Sequence, residues 1–158
     1  MADLHIDDFY RDVAVILLQL YALFPRKTVL YVEDISGPDE PDEFGLHHPR
    51  FEACFSTMVW LSEEHYLRFE DTIAREALDQ AVLTRRGFLA LSSRSDLTLT
   101  LNHEERDDWP PSVSERYSTN IAQLREALNQ GSSIAVQECV SYLLSLTAVD
   151  RPKGSPNL

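Results

Sequence analysis

The sequence predicts an α+β fold in which helices surround a small antiparallel sheet. Three observations carry that prediction. Residues 50–92 run from an apolar helical period into two short strand-like runs joined by a charged turn, and then into a second helical period. A long amphipathic stretch, Ile6 to Phe24, precedes them. Two further helical periods, around Tyr117 to Leu128 and Ser133 to Leu146, follow.

In chain order, the first stretch places Ile6, Phe9, Tyr10, Val13, Ile16, Leu17, Leu20, Tyr21 and Phe24 on one wide face. Asp7 and Asp8 at its start favour the helix dipole, and Pro25 ends it. Lys27 to Glu33 then reads as a strand, because branched and aromatic residues follow one another through Val29, Leu30, Tyr31 and Val32. It is expected to join the later hairpin in a three-stranded sheet. Residues 34–49, DISGPDEPDEFGLHHP, set three prolines and two glycines among Asp34, Asp39, Glu40, Asp42 and Glu43. That punctuation predicts a loop with at most one helical turn, around Pro41 to Phe44.

The next helix carries Phe51, Cys54, Phe55, Met58, Val59 and Leu61 at helical spacing, with no glycine or proline inside. Glu63-Glu64-His65 stops it. Tyr66 to Ile73 mixes aromatic, branched and charged residues as a half-solvated strand does, and Ala81-Val82-Leu83 supplies a second strand. Thr84 is placed to cap a helix that begins at Arg85 and runs through Leu91. Residues 94–114 read as a polar linker, with Leu97 to Leu101 alternating like an edge strand and Asp107 to Pro111 marking a break. Ser112 or Ser114 is placed to cap the next helix, and Gly131 separates it from the last one, which bears Ile134, Val136, Cys139, Val140, Leu143 and Leu144. So aliphatic a helical pair, over residues 115–147, needs cover from the first helix or from a second copy of the chain across a two-fold axis. Residues 148–158 read as a disordered tail.

Two segments resemble the winged-helix domains of bacterial regulators. Trp60-Leu61-Ser62-Glu63-Glu64-His65-Tyr66-Leu67-Arg68 is similar to the end of their recognition helix, where Gly-Tyr-Ile commonly follows. Ala81-Val82-Leu83-Thr84-Arg85-Arg86-Gly87-Phe88 is similar to their strand, Leu-Thr, basic residue, glycine and apolar residue. Two departures stand out. His65 occupies the glycine position, where a positive φ is usual, and an acidic loop replaces the full second helix of a helix-turn-helix. The resemblance implies a winged-helix domain over residues 4–93, DNA binding and transcription regulation, and a homodimer held by helices outside the wing. Carried onto this sequence, it puts Arg50, Glu52, Ala53, Ser56 and Thr57 on the face that enters the major groove. Ser56 and Thr57 would allow close approach, and Arg50 would reach a guanine. Arg68 in the wing and Arg85 and Arg86 on the closing helix would hold phosphates, and Arg75 in the wing would reach a phosphate or the minor groove.

Charge opposes that implication. The 158 residues carry 26 acidic and 14 basic side chains, a formal net charge of -12, whereas a nucleic-acid binder gathers positive charge on one face. Residues 1–93 hold 17 acids and 8 bases, so the winged-helix-like part is the more acidic one. Glu70, Asp71, Glu76 and Asp79 flank Arg75. A second function class therefore stands beside the first: an interaction module that binds a basic protein or imitates nucleic acid, with Asp39, Glu40, Asp42 and Glu43 as docking acids. Where the arginines fall in space separates the two. Convergence on one face favours DNA, and dispersal among acids favours a protein partner.

Enzymatic chemistry finds no motif. No GxSxG, HExxH, phosphate-binding glycine loop or dinucleotide fingerprint occurs, so a non-enzymatic protein without cofactor is expected. His47 and His48 beside the loop acids are of metal-ligating type, yet no pair has a fixed helical spacing, and no metal site is assigned. Cys54 and Cys139 lie far apart in apolar surroundings and read as buried free thiols. No apolar run is long enough for a membrane helix, and the start MADLHIDDFYRD is acidic where a secretory signal is basic. A cytoplasmic protein is expected. Twelve of the 14 bases being arginine fits a bacterial source.

Overall fold

The computed structural model describes residues 4–95 and 119–148. The elements run α1 (Leu4–Leu23), β1 (Thr28–Tyr31), α2 (Val32–Ser36), α3 (Pro49–Glu63), β2 (Leu67–Arg68), β3 (Asp71–Ile73), β4 (Ala77–Leu83), α4 (Arg85–Ser92), α5 (Asn120–Asn129) and α6 (Ser133–Ala148). This is an α+β architecture. The expected edge strand at Leu97 to Leu101, the break at Asp107 to Pro111 and the tail from residue 149 lie outside the described residues, whereas the expectation that Ser112 or Ser114 caps the helix bearing Ile121, Leu124 and Leu128 is corrected, since that helix starts at Asn120 with Thr119 as its cap.

α1 is the scaffold. It buries Val13, Ile16, Leu17 and Leu20, and it packs against α3 on one side and against α5 and α6 on another. α3 starts with Pro49 in its first turn, where a missing N–H costs nothing, and the His48 ring accepts a hydrogen bond from the Arg50 amide. It ends where His65 takes φ 67°. There the Tyr66 amide donates to the Leu61 carbonyl at 2.9 Å and the His65 amide to Ser62 at 3.0 Å. Both bonds belong to the Schellman motif, which normally selects glycine at that position.

Among the described residues the sheet has four strands, not three. β4 lies in its middle, with β1 on one side and β2 and β3 along the other. β2 and β3 are two stretches of one hairpin arm, paired from Leu67 opposite Leu83 to Ile73 opposite Ala77. β4 extends back to Ala77, because Leu78 and Ala77 are buried beside Ala81, Val82 and Leu83. The polar Asp79 and Gln80 hide that continuity in the sequence. Gln80, at φ 53°, takes up the register shift that separates Thr28 from Leu30 on β1. β1 is shorter than expected, since Val32 to Ser36 turns helical and buries Val32 and Ile35 together. Residues three apart share a face in a helix and not in a strand.

The loop after α2 holds no helical turn at Pro41 to Phe44. Its shape comes from Asp42, whose Oδ1 accepts the Phe44 and Leu46 amides at 2.9 Å each, with Gly45 at φ 75°. At the other end of the chain α5 is capped by Thr119, and the Asn120 side chain donates to the Ala90 carbonyl at 2.8 Å, joining α5 to α4. α5 and α6 bury Ile121, Leu124, Val136, Cys139, Val140 and Leu143 in the same cluster as Leu17, Met58 and Leu78. Most of their aliphatic residues are thus covered by α1 and α4 of the same chain, with Ile134 left 70% exposed, so the pair packs back on the first helix, one of the two covers the sequence allows. Among the described residues no helix is long and apolar enough to cross a membrane.

Candidate functional site

The surface built by α3, the β3–β4 hairpin tip and residues 39–48 is where most of the candidate residues lie. Arg50 starts from the first turn of α3, but its guanidinium is turned toward α1. It donates from Nη1 to Asp12 Oδ2 at 2.6 Å and from Nη2 to Asp12 Oδ1, and Nε lies 3.5 Å from Asp8. Asp12 is only 1% exposed. A carboxylate that deep requires a counter-charge, and a bidentate guanidinium supplies it with two hydrogen bonds. Those bonds raise the Arg50 pKa above its ordinary value. The expectation of a base-reading Arg50 is corrected accordingly: the side chain is committed to joining α1 and α3. The sequence signals the burial of Asp12 but not its partner, because Asp12 sits three residues after Phe9 and four before Ile16, inside the apolar period.

Thr57 is corrected as well. It is buried, and its hydroxyl donates back to the Ala53 carbonyl at 3.0 Å. Ser56 is exposed, and the solvent face of α3 consists of Glu52, Ala53, Ser56 and Glu63, with Glu64 just after it. No basic side chain lies among them. Phosphate at close range meets repulsion there.

Arg75 occupies the hairpin tip. Ala74 and Arg75 both have positive φ, 49° and 58°, and the Glu76 amide donates to the Ile73 carbonyl at 2.8 Å. That is a type I′ turn built without the glycine or asparagine it favours. The exposed Arg75 guanidinium lies 5.6 Å from the centre of the Phe55 ring. The tip and residues 45–47 close over α3 to form a cleft of about 610 Å³ beside Phe51, Phe55 and Glu52. Arg68, Arg85 and Arg86 are exposed at the other end of the hairpin, where Arg86 lies 5.7 Å over the Tyr66 ring. The length of β4, about 20 Å at the usual rise per residue, separates them from Arg75. The five arginines therefore do not converge.

Within the acidic loop, roles divide. Asp39 accepts the His48 amide at 3.0 Å and meets His47 Nδ1 at 3.0 Å. The His48 amide holds the Asp39 carboxyl below its usual range, with His47 adding to the effect. Asp42 shapes the turn described above. Glu40 and Glu43 face solvent, as do Phe44 at 82% and Leu46 at 60% exposure. His47 is the residue whose connectivity the sequence does not reveal: its Nε2 lies 3.3 Å from Glu76 on the hairpin, and its ring stacks on Phe51 at 4.0 Å.

Among the described residues no three His, Cys, Asp or Glu side chains are grouped to hold a metal ion. Burial pushes both thiols, Cys54 and Cys139, up to about 12, so neither is a nucleophile at neutral pH. A smaller cavity of about 300 Å³ lies where the start of α1 meets the α5–α6 turn, beside Asp7, Asp8, Arg11 and Ser132. Comparison with protein-family models, with curated proteins and with solved structures finds no match to this chain.

Proposed function

We propose that this chain is a winged-helix-like interaction module, without enzymatic activity, that offers an acidic surface to a basic protein partner. One observation carries the reading: the solvent face of α3, the helix that would be the recognition helix, presents Glu52, Glu63 and Glu64 and no cation, while Arg50 is tied to Asp12. The net charge of -12 works in the same direction, steering basic surfaces in and phosphates away. A second reading, DNA binding, is favoured by Arg68, Arg85 and Arg86 lying exposed at one end of the hairpin.

Fluorescence anisotropy at about 20 mM and about 150 mM salt, where screening differs strongly, distinguishes the two. The probes are an arginine-rich peptide and a random-sequence duplex DNA. Salt-sensitive binding of the peptide, weakened about tenfold by Glu52→Gln with Glu63→Gln and Glu64→Gln, is the expected result, with no DNA binding at either salt. DNA binding that falls with salt and is lost in the Arg68→Ala, Arg85→Ala, Arg86→Ala variant overturns the reading in favour of the second.

A further inference from the structure

We infer that the cleft between α3 and the hairpin tip receives an arginine side chain of the basic partner, and that Arg75 is the chain's own occupant of that seat, displaced when the partner binds. The inference rests on the interaction-module reading above and names the contact within it. The cleft, of about 610 Å³, sets an aromatic wall, Phe51 and Phe55, beside two carboxylates, Glu52 and Glu76, with Leu46 at its rim. Those are the groups a guanidinium uses. A ring offers its face to a delocalised cation, carboxylates accept its N–H groups, and apolar surface covers its methylene stem. The chain itself already lays a guanidinium against that wall, since Arg75 lies 5.6 Å from the centre of the Phe55 ring.

The carboxylates of the cleft are still open to a cation. Among the described residues no arginine or lysine pairs with Glu52 or Glu76, both of them exposed, and Glu76 lies 3.3 Å from His47 Nε2. Arg75 leaves both unpaired while it rests on Phe55. Its seat is also one it can give up. It stands exposed in a two-residue turn, where Ala74 and Arg75 have φ 49° and 58°, a region disfavoured for residues that carry a Cβ. Leaving Phe55 breaks one exposed cation–π contact. An arginine from the partner that takes the seat restores that contact and adds charge-assisted hydrogen bonds to Glu52 and Glu76, which Arg75 does not make. The exchange therefore favours the incoming side chain.

Two labelled peptides of equal length and charge, one arginine-rich and one lysine-rich, are titrated with the full chain at about 20 mM and about 150 mM salt, and anisotropy gives the ratio of their affinities. The change in that ratio between variants is the readout, because bidentate contact with any surface carboxylate already favours arginine. Arg75→Ala removes a positive charge and is expected to tighten both peptides, but to raise the preference for arginine about threefold, the scale of one exposed cation–π contact. Adding Phe55→Leu, which keeps an apolar side chain in the core and removes the ring, is expected to abolish that rise. Glu76→Gln is expected to weaken the arginine peptide about threefold, the scale of an exposed ion pair. Salt-sensitive binding of both peptides with a ratio unmoved by Arg75→Ala overturns the inference and leaves the interaction-module reading standing. So does a rise that survives Phe55→Leu. A glutamate-rich peptide of the same length that binds the wild type and is lost in Arg75→Ala also overturns it, because Arg75 is then the binding group and not the stand-in. Salt-sensitive binding of neither basic peptide removes the reading and the inference together.

Discussion

Gly87 and Thr84 show how much of the local motif is steric necessity. A Cβ built on Gly87 would lie 2.1 Å from the Tyr66 carbonyl oxygen, so the glycine is required by close approach and not by its backbone angles. Thr84 works at the same junction from the other side, donating to the His65 carbonyl at 2.6 Å while its oxygen accepts the Gly87 amide at 3.1 Å. One hydroxyl thereby ties the end of β4 to the exit of α3 and caps α4. Gly87→Ala must displace backbone in two elements. It is expected to destabilise by about 1–3 kcal/mol, the range for overpacking, and urea unfolding followed by circular dichroism should show a lower midpoint with an unchanged slope. Asp12 and Arg50 form the other demanding pair at this scale. Removing Arg50 leaves the Asp12 carboxylate, 1% exposed, without its bidentate partner at the α1–α3 contact, which is costlier than replacing both.

Among the elements, α3 and the hairpin are the pair on which the proposed function rests. Phe55 is 8% exposed and stands beneath Arg75, so its ring serves the core and supports the tip at once. Trp60, further along the same helix, is half-buried and meets Phe9 edge to face at 5.3 Å. Phe55→Ala is expected to cost about 3 kcal/mol or more, the usual loss for a buried aromatic, and to loosen the tip because its platform is gone. Thermal melting reads the first effect and increased backbone mobility at Ala74 and Arg75 by NMR relaxation the second. Melting unchanged by the substitution would contradict the core assignment. The stack of Phe24 on Phe88, 4.4 Å between centres, fixes the end of α1 to α4 in a comparable way.

Taken as a whole, the molecule has a core that does not stop at Ser95. Ile121, Leu124, Val140 and Leu143 are at most 4% exposed, and they share the cluster that α1 and α4 enter. Each fully buried side chain of this kind is worth about 1.5–3 kcal/mol, and a whole domain is stable by only about 5–15 kcal/mol. A chain stopped after Ser95 would expose the α1 stripe those residues cover. It is expected to lose cooperative unfolding and to bind a hydrophobic dye such as ANS. A cooperative transition in that shortened chain would instead establish residues 4–93 as a self-sufficient unit.

Periodicity made α1, α3, α4 and α6 legible, because a helix writes its buried face into its own residues at i, i+3 and i+4. The Thr84 cap and the odd His65 position were legible for the same reason, each being settled within a few residues of itself. The sheet was read only in part: Ala81 to Leu83 is apolar without interruption, whereas Asp79 and Gln80 conceal the rest of β4 behind an irregularity that only its neighbour β1 explains. The candidate site was the least legible. Nothing adjacent in sequence says that Arg50 meets Asp12 across 38 positions, that Arg75 lies over Phe55, or that His47 reaches Glu76. Those pairings depend on how α1, the hairpin and the loop are brought together. A charged side chain takes its role from the groups it meets, and folding sets those over distances that local pattern does not encode.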